Sequence, residues 1–349
     1  MLVYKGFRKG FRAYQRHQAA LRLEAAATVP AAMPARTMVP VVAADPDAAI
    51  SVRGLRMSYG AVEAVRGIDL DVRRGEIVAF LGPNGAGKTT TVEILEGYRH
   101  RTGGEVRVFG EDPGRAPLPW RDRIGVVLQE STVEPDLTAR EVLALYAGYH
   151  RRPRPVMETL EMVGLADRAD ARGRELSGGQ RRRLEVAIGL IGDPELLFLD
   201  EPTTGFDPSA RRQSWEVIAG LRHLGTTIFL TTHYMDEAEA LADRIVVISQ
   251  GRIVAEGTPQ KLAGRDTRPA ILSFRLPAPM DPSVLPASLS TRAAQNGDGR
   301  LHVSSTDPLA DAAALAAWAD RNRLPVGDLE VRRPSLEEIY LELTEGAAA

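Results

Sequence analysis

The chain has 349 residues, 44% of them hydrophobic, and no cysteine. This length allows one large domain and a smaller one, and the lack of cysteine excludes disulfides and thiolate metal sites. The 44 basic and 46 acidic residues give a formal net charge of −2, so no basic field indicates nucleic acid as a partner. No apolar run approaches the roughly 20 residues of a membrane-spanning helix. We therefore expect a two-domain protein that does not itself cross a membrane.

Residues 1–48 form a basic leader that is rich in alanine and proline, and we expect it to be disordered. It lacks the apolar core of a secretory signal. On a helix its aromatic residues would share one face, as expected of a segment lying on an anionic membrane: Tyr4, Phe7, Phe11 and Tyr14. Alternatively, the leader is a flexible tail, or an extension from a start codon set too early, since Met33 and Met38 follow.

From residue 49 to residue 264, short apolar runs alternate with helical patterns. The runs are "EIVAFLG", "RIGVVLQ", "ELLFLDEP", "TTIFLTTH" and "DRIVVIS". Such strands, each followed by a helix, predict an α/β domain with a parallel sheet covered on both faces. No run of this kind occurs in residues 130–176, where residues 137–149 and 156–163 have helical patterns. We expect this insert to be a helical subdomain.

Residues 265–349 predict a separate, small α/β domain. Its strands are "AILSFRLP", "RLHVSS" and "GDLEVRR", with an alanine-rich helix at residues 309–319. A last helix follows Pro334, with Ser335 and Glu338 as a capping box. Its expected buried stripe consists of Leu336, Ile339, Tyr340 and Leu343.

A glycine-rich loop follows the strand "EIVAFL" and precedes a helix. Residues 82–89 fit G-x-x-x-x-G-K-[ST], the phosphate loop of P-loop NTPases. In this motif backbone N–H groups surround phosphates, Lys88 adds a cation, and Thr89 offers a hydroxyl to Mg²⁺. The alternative is an ordinary strand-to-helix turn. The residues expected to bind nucleotide here are Gly82, Pro83, Asn84, Gly85, Ala86, Gly87, Lys88, Thr89 and Thr90.

Polar residues also end three other predicted strands. Asp200 ends "ELLFLD" and would hold the magnesium, while Glu201 would orient or deprotonate the attacking water. His233 and Gln129 end their strands in the same way, so they would emerge at the same edge of a parallel sheet. His233 could contact a γ-phosphate or water, and Gln129 the metal or water. Taken singly, the acids could form a solvated turn and His233 could be structural.

A second glycine-rich turn, "SGGQ", opens a helix at residues 177–180. A helix N-terminus favours anions because its first N–H groups have no partner within the helix. The phosphates at residues 82–89 already have a cation, a metal and water-positioning groups from their own chain. We therefore expect Ser177, Gly178, Gly179 and Gln180 to close over ATP bound to a second copy, although a plain N-cap would show the same residues. The following Arg181–Arg183 run could indicate RNA binding, but on an amphipathic helix we expect a solvated or subunit-facing surface.

In chain order, "GPNGAGKTT", Gln129, "LSGGQ", "LLFLDEP", "TTGFDP" and "TTH" resemble the ATP-binding cassette (ABC) ATPases over about residues 50–257. The resemblance implies that Asp207 lies in a segment linking two sites, that Tyr59 stacks on adenine and that His233 is the γ-phosphate switch. It also implies that Gln129 is the lid glutamine. Phe206 stands where many relatives have leucine, so the packing of that segment is not implied.

The stretch "LSGGQRRRLEVAIGLIGDPELLFLDEPTTGFDP" and the C-terminal "PSLEEIYLELTEG" look most like the daunorubicin-type resistance and antibiotic-export branch. The resemblance implies an MgATP-hydrolysing homodimer on the cytoplasmic face of the membrane, driving a separate permease that exports a drug, an antibiotic or another hydrophobic compound. Two alternatives remain: a soluble ABC ATPase acting on the ribosome or nucleic acid, and a regulatory subunit with little turnover.

Overall fold

The computed structural model describes residues 48–129, 133–277, 281–295 and 300–345. The predicted basic leader, up to residue 47, lies outside these residues, and so do the aromatic positions Tyr4 to Tyr14. The predictions made for the leader therefore remain predictions.

Strands and helices alternate along most of the described chain. The strands are β1 (Ala48–Tyr59), β2 (Val62–Arg73), β3 (Ile77–Leu81), β4 (Gly103–Val108), β5 (Ile124–Val127), β6 (Leu196–Asp200), β7 (Thr227–Thr232), β8 (Arg244–Ser249), β9 (Arg252–Gly257), β10 (Ala270–Arg275), β11 (Ala293–Gln295), β12 (Leu301–Ser305) and β13 (Gly327–Arg332). The α-helices are α1 (Lys88–Leu95), α2 (Leu118–Arg121), α3 (Ala139–Ala147), α4 (Val156–Met162), α5 (Gly178–Leu190), α6 (Pro208–Leu221), α7 (Met235–Leu241), α8 (Ala287–Ser290), α9 (Pro308–Arg321) and α10 (Leu336–Glu345).

The largest sheet has six strands in the order β5-β6-β7-β3-β8-β9. Its first five strands run parallel, which confirms the predicted parallel sheet, while β9 joins β8 as an antiparallel edge strand. Every residue of β3 and β7 is buried. This explains why these strands are continuous apolar or threonine-rich runs rather than alternating ones.

Side chains alternate between the two faces of this sheet, and each face has its own core. One face carries Phe80, Phe198 and Phe229 and packs against an antiparallel sheet in the order β2-β1-β4. The opposite face is covered by side chains of α3 to α7. Both faces of the sheet are therefore buried from solvent. The polar residues at the strand ends lie at the edge of the sheet where the loops begin.

The insert between β5 and β6 is helical where the structure describes it. Helices α3 and α4 lie within the two segments expected to be helical, and α3 begins with a capping box of Thr138 and Glu141. No strand occurs at residues 133–175. Buried leucine and valine side chains of α3 and α4 join the core that covers the parallel sheet.

The C-terminal segment forms an antiparallel sheet in the order β11-β12-β10-β13, with α9 packed on one face. Short strand β11 was not expected from the sequence. The last helix differs from expectation in its partner: Leu336 and Ile339 are buried in the core of the large sheet, not in that of the small one. Helical periodicity identifies a buried stripe but not the surface that covers it. The domain boundary at residue 264 remains a prediction.

None of the described helices combines the length and the apolar character that a bilayer crossing requires.

Candidate nucleotide site

The loop between β3 and α1 depends on glycine at several positions. Gly85 and Gly87 have φ angles of 78° and 102°, which L side chains rarely adopt. A Cβ atom on Gly82 would lie 2.3 Å from the Ile248 carbonyl oxygen. The sequence therefore needs glycine here both for the turn and for the close packing against β8.

Lys88 is the first residue of α1, and its side chain crosses the loop. The ammonium Nζ donates to the carbonyl oxygens of Gly82, at 2.7 Å, and Pro83, at 3.1 Å. Burial lowers the pKa of this ammonium, while the carboxylates of Glu201 and Asp200 oppose the shift. A cation is thus held at the mouth of the loop, beside two acids.

Asp200 and Glu201 leave the end of β6 in different directions. Asp200 pairs with Thr231 of β7 in register and accepts a hydrogen bond from its hydroxyl. Glu201 adopts a left-handed backbone conformation, with φ of 46°, and its N–H donates to the Thr231 carbonyl at 3.1 Å. Non-glycine residues in this region are strained and often mark functional sites.

Three side chains converge on the Glu201 carboxylate. Gln129 Nε2 donates to Oε2 at 2.9 Å, and the Thr204 hydroxyl donates to the same oxygen at 3.0 Å. His233 Nδ1 lies 3.4 Å from Oε1. The ends of β5, β6 and β7 therefore meet as the parallel register predicts, and the carboxylate is oriented from two sides.

One open cleft of about 800 Å³ joins the loop to these strand ends. Its walls include most of the predicted residues: Asn84, Gly85, Gly87, Lys88, Thr89, Thr90, Gln129, Asp200, Glu201 and His233. Gly82, Pro83 and Ala86 are not among its walls and shape the loop from behind. The structure thus brings a phosphate cradle and a hydrolytic group of residues into one space.

Tyr59 lies beside this cleft at the end of β1. Its hydroxyl is 3.4 Å from the Thr90 hydroxyl, and 41% of the residue is exposed. The Arg99 guanidinium covers one face of the ring at 5.2 Å from its centroid. An aromatic ring in this position can stack with a flat base next to the phosphate loop.

The glycine-rich turn at residues 177–180, the signature turn, does not line the cleft that contains Lys88. Ser177 caps α5: its hydroxyl accepts from the Gln180 N–H, and its own N–H donates to the Gln180 side chain. Residues 177–180 line an adjacent cleft of about 530 Å³, together with Phe206 and Asp207, and Gln129 and Glu201 are walls of both clefts. Asp207 caps α6, and Phe206 is half-buried. Within one chain, the two glycine-rich turns serve different clefts.

Sequence reasoning missed three residues near the strand ends. Arg182 is only 8% exposed and donates to main-chain carbonyls around Asp200, so for this member of the arginine run the expected surface role was wrong. Thr231 supports both acids from β7, which its register opposite Asp200 could have indicated. Glu96, at the end of α1, has its pKa raised to about 8 by burial, with smaller effects of Asp200 and Glu93. A local pattern gives no signal for Arg182 or Glu96.

The donors at the cleft suit magnesium. Thr89, Asp200 and Gln129 offer a hydroxyl, a carboxylate and an amide oxygen, which are the oxygen ligands that Mg²⁺ prefers. Within the described ranges, no cluster of three or more histidine or acidic side chains could hold a metal ion by itself.

Family comparisons agree with the geometry. Residues 65–204 match the family described as ABC transporter, and residues 270–335 match an ABC transporter-like C-terminal domain. The chain is 39% identical to the daunorubicin/doxorubicin resistance ATP-binding protein of Streptomyces peucetius, over 86% of this chain and 93% of that protein. It is 40% identical to the Nod factor export ATP-binding protein I of Ralstonia nicotianae, over 84% and 93% of the two chains.

Solved structures extend the likeness to the fold. A dimeric ATP-binding cassette in a post-hydrolysis state, bound to ADP and phosphate, has a TM-score of 0.54 and 25% identity, covering 60% of this chain and 98% of that one. An ATP-binding subunit of an ABC transporter has a TM-score of 0.55 and 27% identity, covering 61% and 90%. Because relatives 39% and 40% identical cover more than four fifths of this chain and of their own length, this chain belongs to the ABC transporter ATP-binding proteins and is an ATPase.

Proposed function

We propose that this chain hydrolyses MgATP between two copies of itself and thereby drives a separate membrane permease that exports a drug, an antibiotic or another hydrophobic compound. The observation that carries the proposal is the arrangement of the two clefts. Lys88 and His233 line one cleft and the turn at residues 177–180 lines another, while Gln129 and Glu201 are walls of both. A second copy would supply the turn that the first cleft lacks.

Each residue at the cleft has a distinct role in this proposal. The loop and Lys88 bind the phosphates, and Tyr59 takes the base. Glu201 accepts hydrogen bonds from Gln129 and Thr204, so its other oxygen is the one that can orient or deprotonate a water. His233, beside that oxygen, contacts the γ-phosphate. Such positioning supplies most of the catalysis in phosphoryl transfer.

Thr89, Asp200 and Gln129 would hold Mg²⁺, which neutralises charge on the β- and γ-phosphates when it is bound. Asp200 is kept in place from the protein side, since Thr231 donates to its carboxylate.

The permease would dock on the helical insert, close to Gln129. Three large side chains on and after α3 are at least 38% exposed, namely Leu145, Tyr146 and Tyr149, and Leu128, next to Gln129, is 52% exposed. Apolar side chains exposed together favour a protein partner. Since the related proteins are named for resistance and export, we propose a peripheral location on the cytoplasmic face of the membrane.

Substitution of the base tests the hydrolytic part of the proposal. Glu201→Gln should keep ATP binding and lower steady-state turnover by about 10² to 10³, the usual cost of removing a positioned catalytic group. Glu216→Gln, an exposed acid on α6, is the matched control and should keep normal turnover. Unchanged turnover in Glu201→Gln would remove the assignment. Very low turnover in the wild type would instead favour a regulatory subunit.

Crosslinking tests the partner. A photoreactive amino acid at Tyr149 should crosslink to an integral membrane protein in membranes from the native host. Crosslinks to ribosomal proteins or to nucleic acid would favour the soluble alternative.

A further inference from the structure

Arg182 is a buried arginine with an unusual set of partners. It lies on the second turn of α5, and its side chain is 9% exposed. The guanidinium donates to the carbonyl oxygens of Leu128, at 2.6 Å, Asp200, at 2.8 Å, and Pro202, at 3.1 Å. It therefore binds the main chain on both sides of Glu201 and the residue before Gln129.

Only an arginine can make this set of contacts. Its planar group has five N–H donors directed in a fixed plane, whereas a lysine ammonium is a compact charge with three. The charge is balanced by Glu185, which accepts from Nη1 at 2.8 Å and is 11% exposed. A buried charge retained with full hydrogen bonding calls for an explanation, because an apolar pair of similar volume is often as stable.

The helix that carries Arg182 also begins with the signature turn. Its other end is fixed on β5, where a Cβ atom on Gly125 would lie 2.2 Å from the Gly189 carbonyl oxygen. Arg182 thus connects α5, which begins with the signature turn, to the loops that follow β5 and β6. In the proposed function, this turn meets a second copy. Gln129 in turn donates to the Glu201 carboxylate.

We propose that Arg182 is a positioning residue that couples the position of the signature turn to the positions of Glu201 and Gln129. Hydrolysis then depends on closure of the two copies over ATP. The inference rests on the proposed function. Arg182 need not touch nucleotide. Through its main-chain contacts it aligns Glu201 and Gln129, the two side chains that hold the attacking water. This alignment is complete when the start of α5 contacts the ATP bound to a second copy.

Arg182→Lys is the principal test. It keeps the charge beside Glu185 but loses most of the carbonyl contacts. We expect kcat to fall about 10- to 100-fold, as for small misplacements of catalytic groups, with KM and Kd for ATP within about threefold of wild type. ATP-driven dimerisation should persist when Arg182→Lys is combined with Glu201→Gln. Should the Lys variant not fold, Arg182→Gln with Glu185→Gln removes both charges and carries the same expectations.

Arg183→Lys is the matched control, since Arg183 also donates to main-chain carbonyls, those of Val163 and Gly164 in the insert. Its kcat should stay within about threefold of wild type. The inference is overturned if folded Arg182 variants keep normal kcat, if Arg183→Lys loses as much kcat, or if ATP binding falls together with kcat. Glu201→Gln separates the two ideas: should it turn over normally, the proposed function fails; should it be inactive while Arg182→Lys is normal, only this inference fails.

Discussion

At the scale of single residues, Lys88 is a buried cation that donates hydrogen bonds to the carbonyl oxygens of its own loop. Its ammonium binds two loop carbonyls and faces Asp200 and Glu201 across the cleft. Lys88→Ala should therefore weaken ATP binding by at least about 10², because a desolvated cation beside phosphates is lost. Titration with a fluorescent ATP analogue would measure this, with the exposed Lys261→Ala as the control. Equal affinities for the two variants would contradict the assignment.

Glu237 of α7 predicts a pH dependence of stability. It is fully buried and accepts from the Thr203 hydroxyl at 2.8 Å and from the Trp215 indole at 3.1 Å. Burial raises its pKa above the ordinary 4.5, opposed by hydrogen bonds from Thr232, Thr203 and Trp215. The folded state then keeps a proton that the unfolded chain releases, so the free energy of unfolding falls as pH rises from about 4.5 towards the raised pKa.

Glu237→Gln should flatten this decline, because the amide keeps the hydrogen bonds but cannot lose a proton. Urea unfolding between about pH 5 and pH 8 would measure it, and stability at the upper end should equal or exceed that of wild type. Glu216→Gln is the control and should keep the slope. A Glu237→Gln slope as steep as that of wild type would show that another group titrates.

The residues at the cleft were predictable because their positions follow from strand ends. A parallel sheet brings the carboxyl ends of its strands to one edge, so Gln129, Asp200, Glu201 and His233 could be placed together from sequence alone. The burial of Arg182 and Glu237 could not be predicted from sequence. Each is a charged residue whose burial is set by segments distant in sequence, and the default expectation for such residues is exposure.

At the scale of elements, a cap at the start of α10 ties this helix to the preceding strand β13. Glu338 binds Arg332 at 2.8 Å through both oxygens and accepts from the Ser335 N–H at 2.7 Å. These contacts lower its pKa to about 2, with the Arg332 hydrogen bond as the largest cause. The stability they add is present above pH 4.5, the ordinary pKa, and is lost as pH falls from there towards 2.

Glu338→Gln should therefore lower the free energy of unfolding at neutral pH by about 1 kcal/mol, as for other caps. The loss should shrink towards low pH, where the wild-type carboxylate is itself protonated. Urea unfolding and hydrogen exchange of α10 would measure both effects. The exposed Glu337→Gln, in the same turn, is the control. Equal effects of the two substitutions would show that the cap does not matter.

The elements themselves were largely predictable, because apolar runs and helical periods are local signals. Three features could not be predicted in this way: the antiparallel edge strand β9, the short strand β11 and the core on which α10 packs. Strand direction at an edge and the docking of an amphipathic helix depend on the surface that the rest of the chain presents. The capping box of Ser335 and Glu338 was found by sequence because it is confined to four residues.

At the scale of the whole molecule, the two glycine-rich turns of one chain line separate clefts. The phosphate loop lines one and residues 177–180 line the other, while Glu201 and Gln129 are walls of both. In the proposed function, a second copy brings its phosphates to this turn. The proposed pairing therefore makes the active site a property of two molecules, and its activity should depend on their association.

Ser177→Arg tests this dependence. The long cation should obstruct the signature turn while leaving the phosphate loop intact, so ATP affinity should stay within about threefold of wild type. In the Glu201→Gln background, sedimentation with MgATP should show a dimer that Ser177→Arg converts to monomer. The exposed Ser288→Arg, in the C-terminal segment, adds the same charge and should leave the dimer intact. Specific ATPase activity of the wild type should fall on dilution, because the active dimer dissociates. A Ser177→Arg monomer with normal turnover would show that each molecule completes its own site.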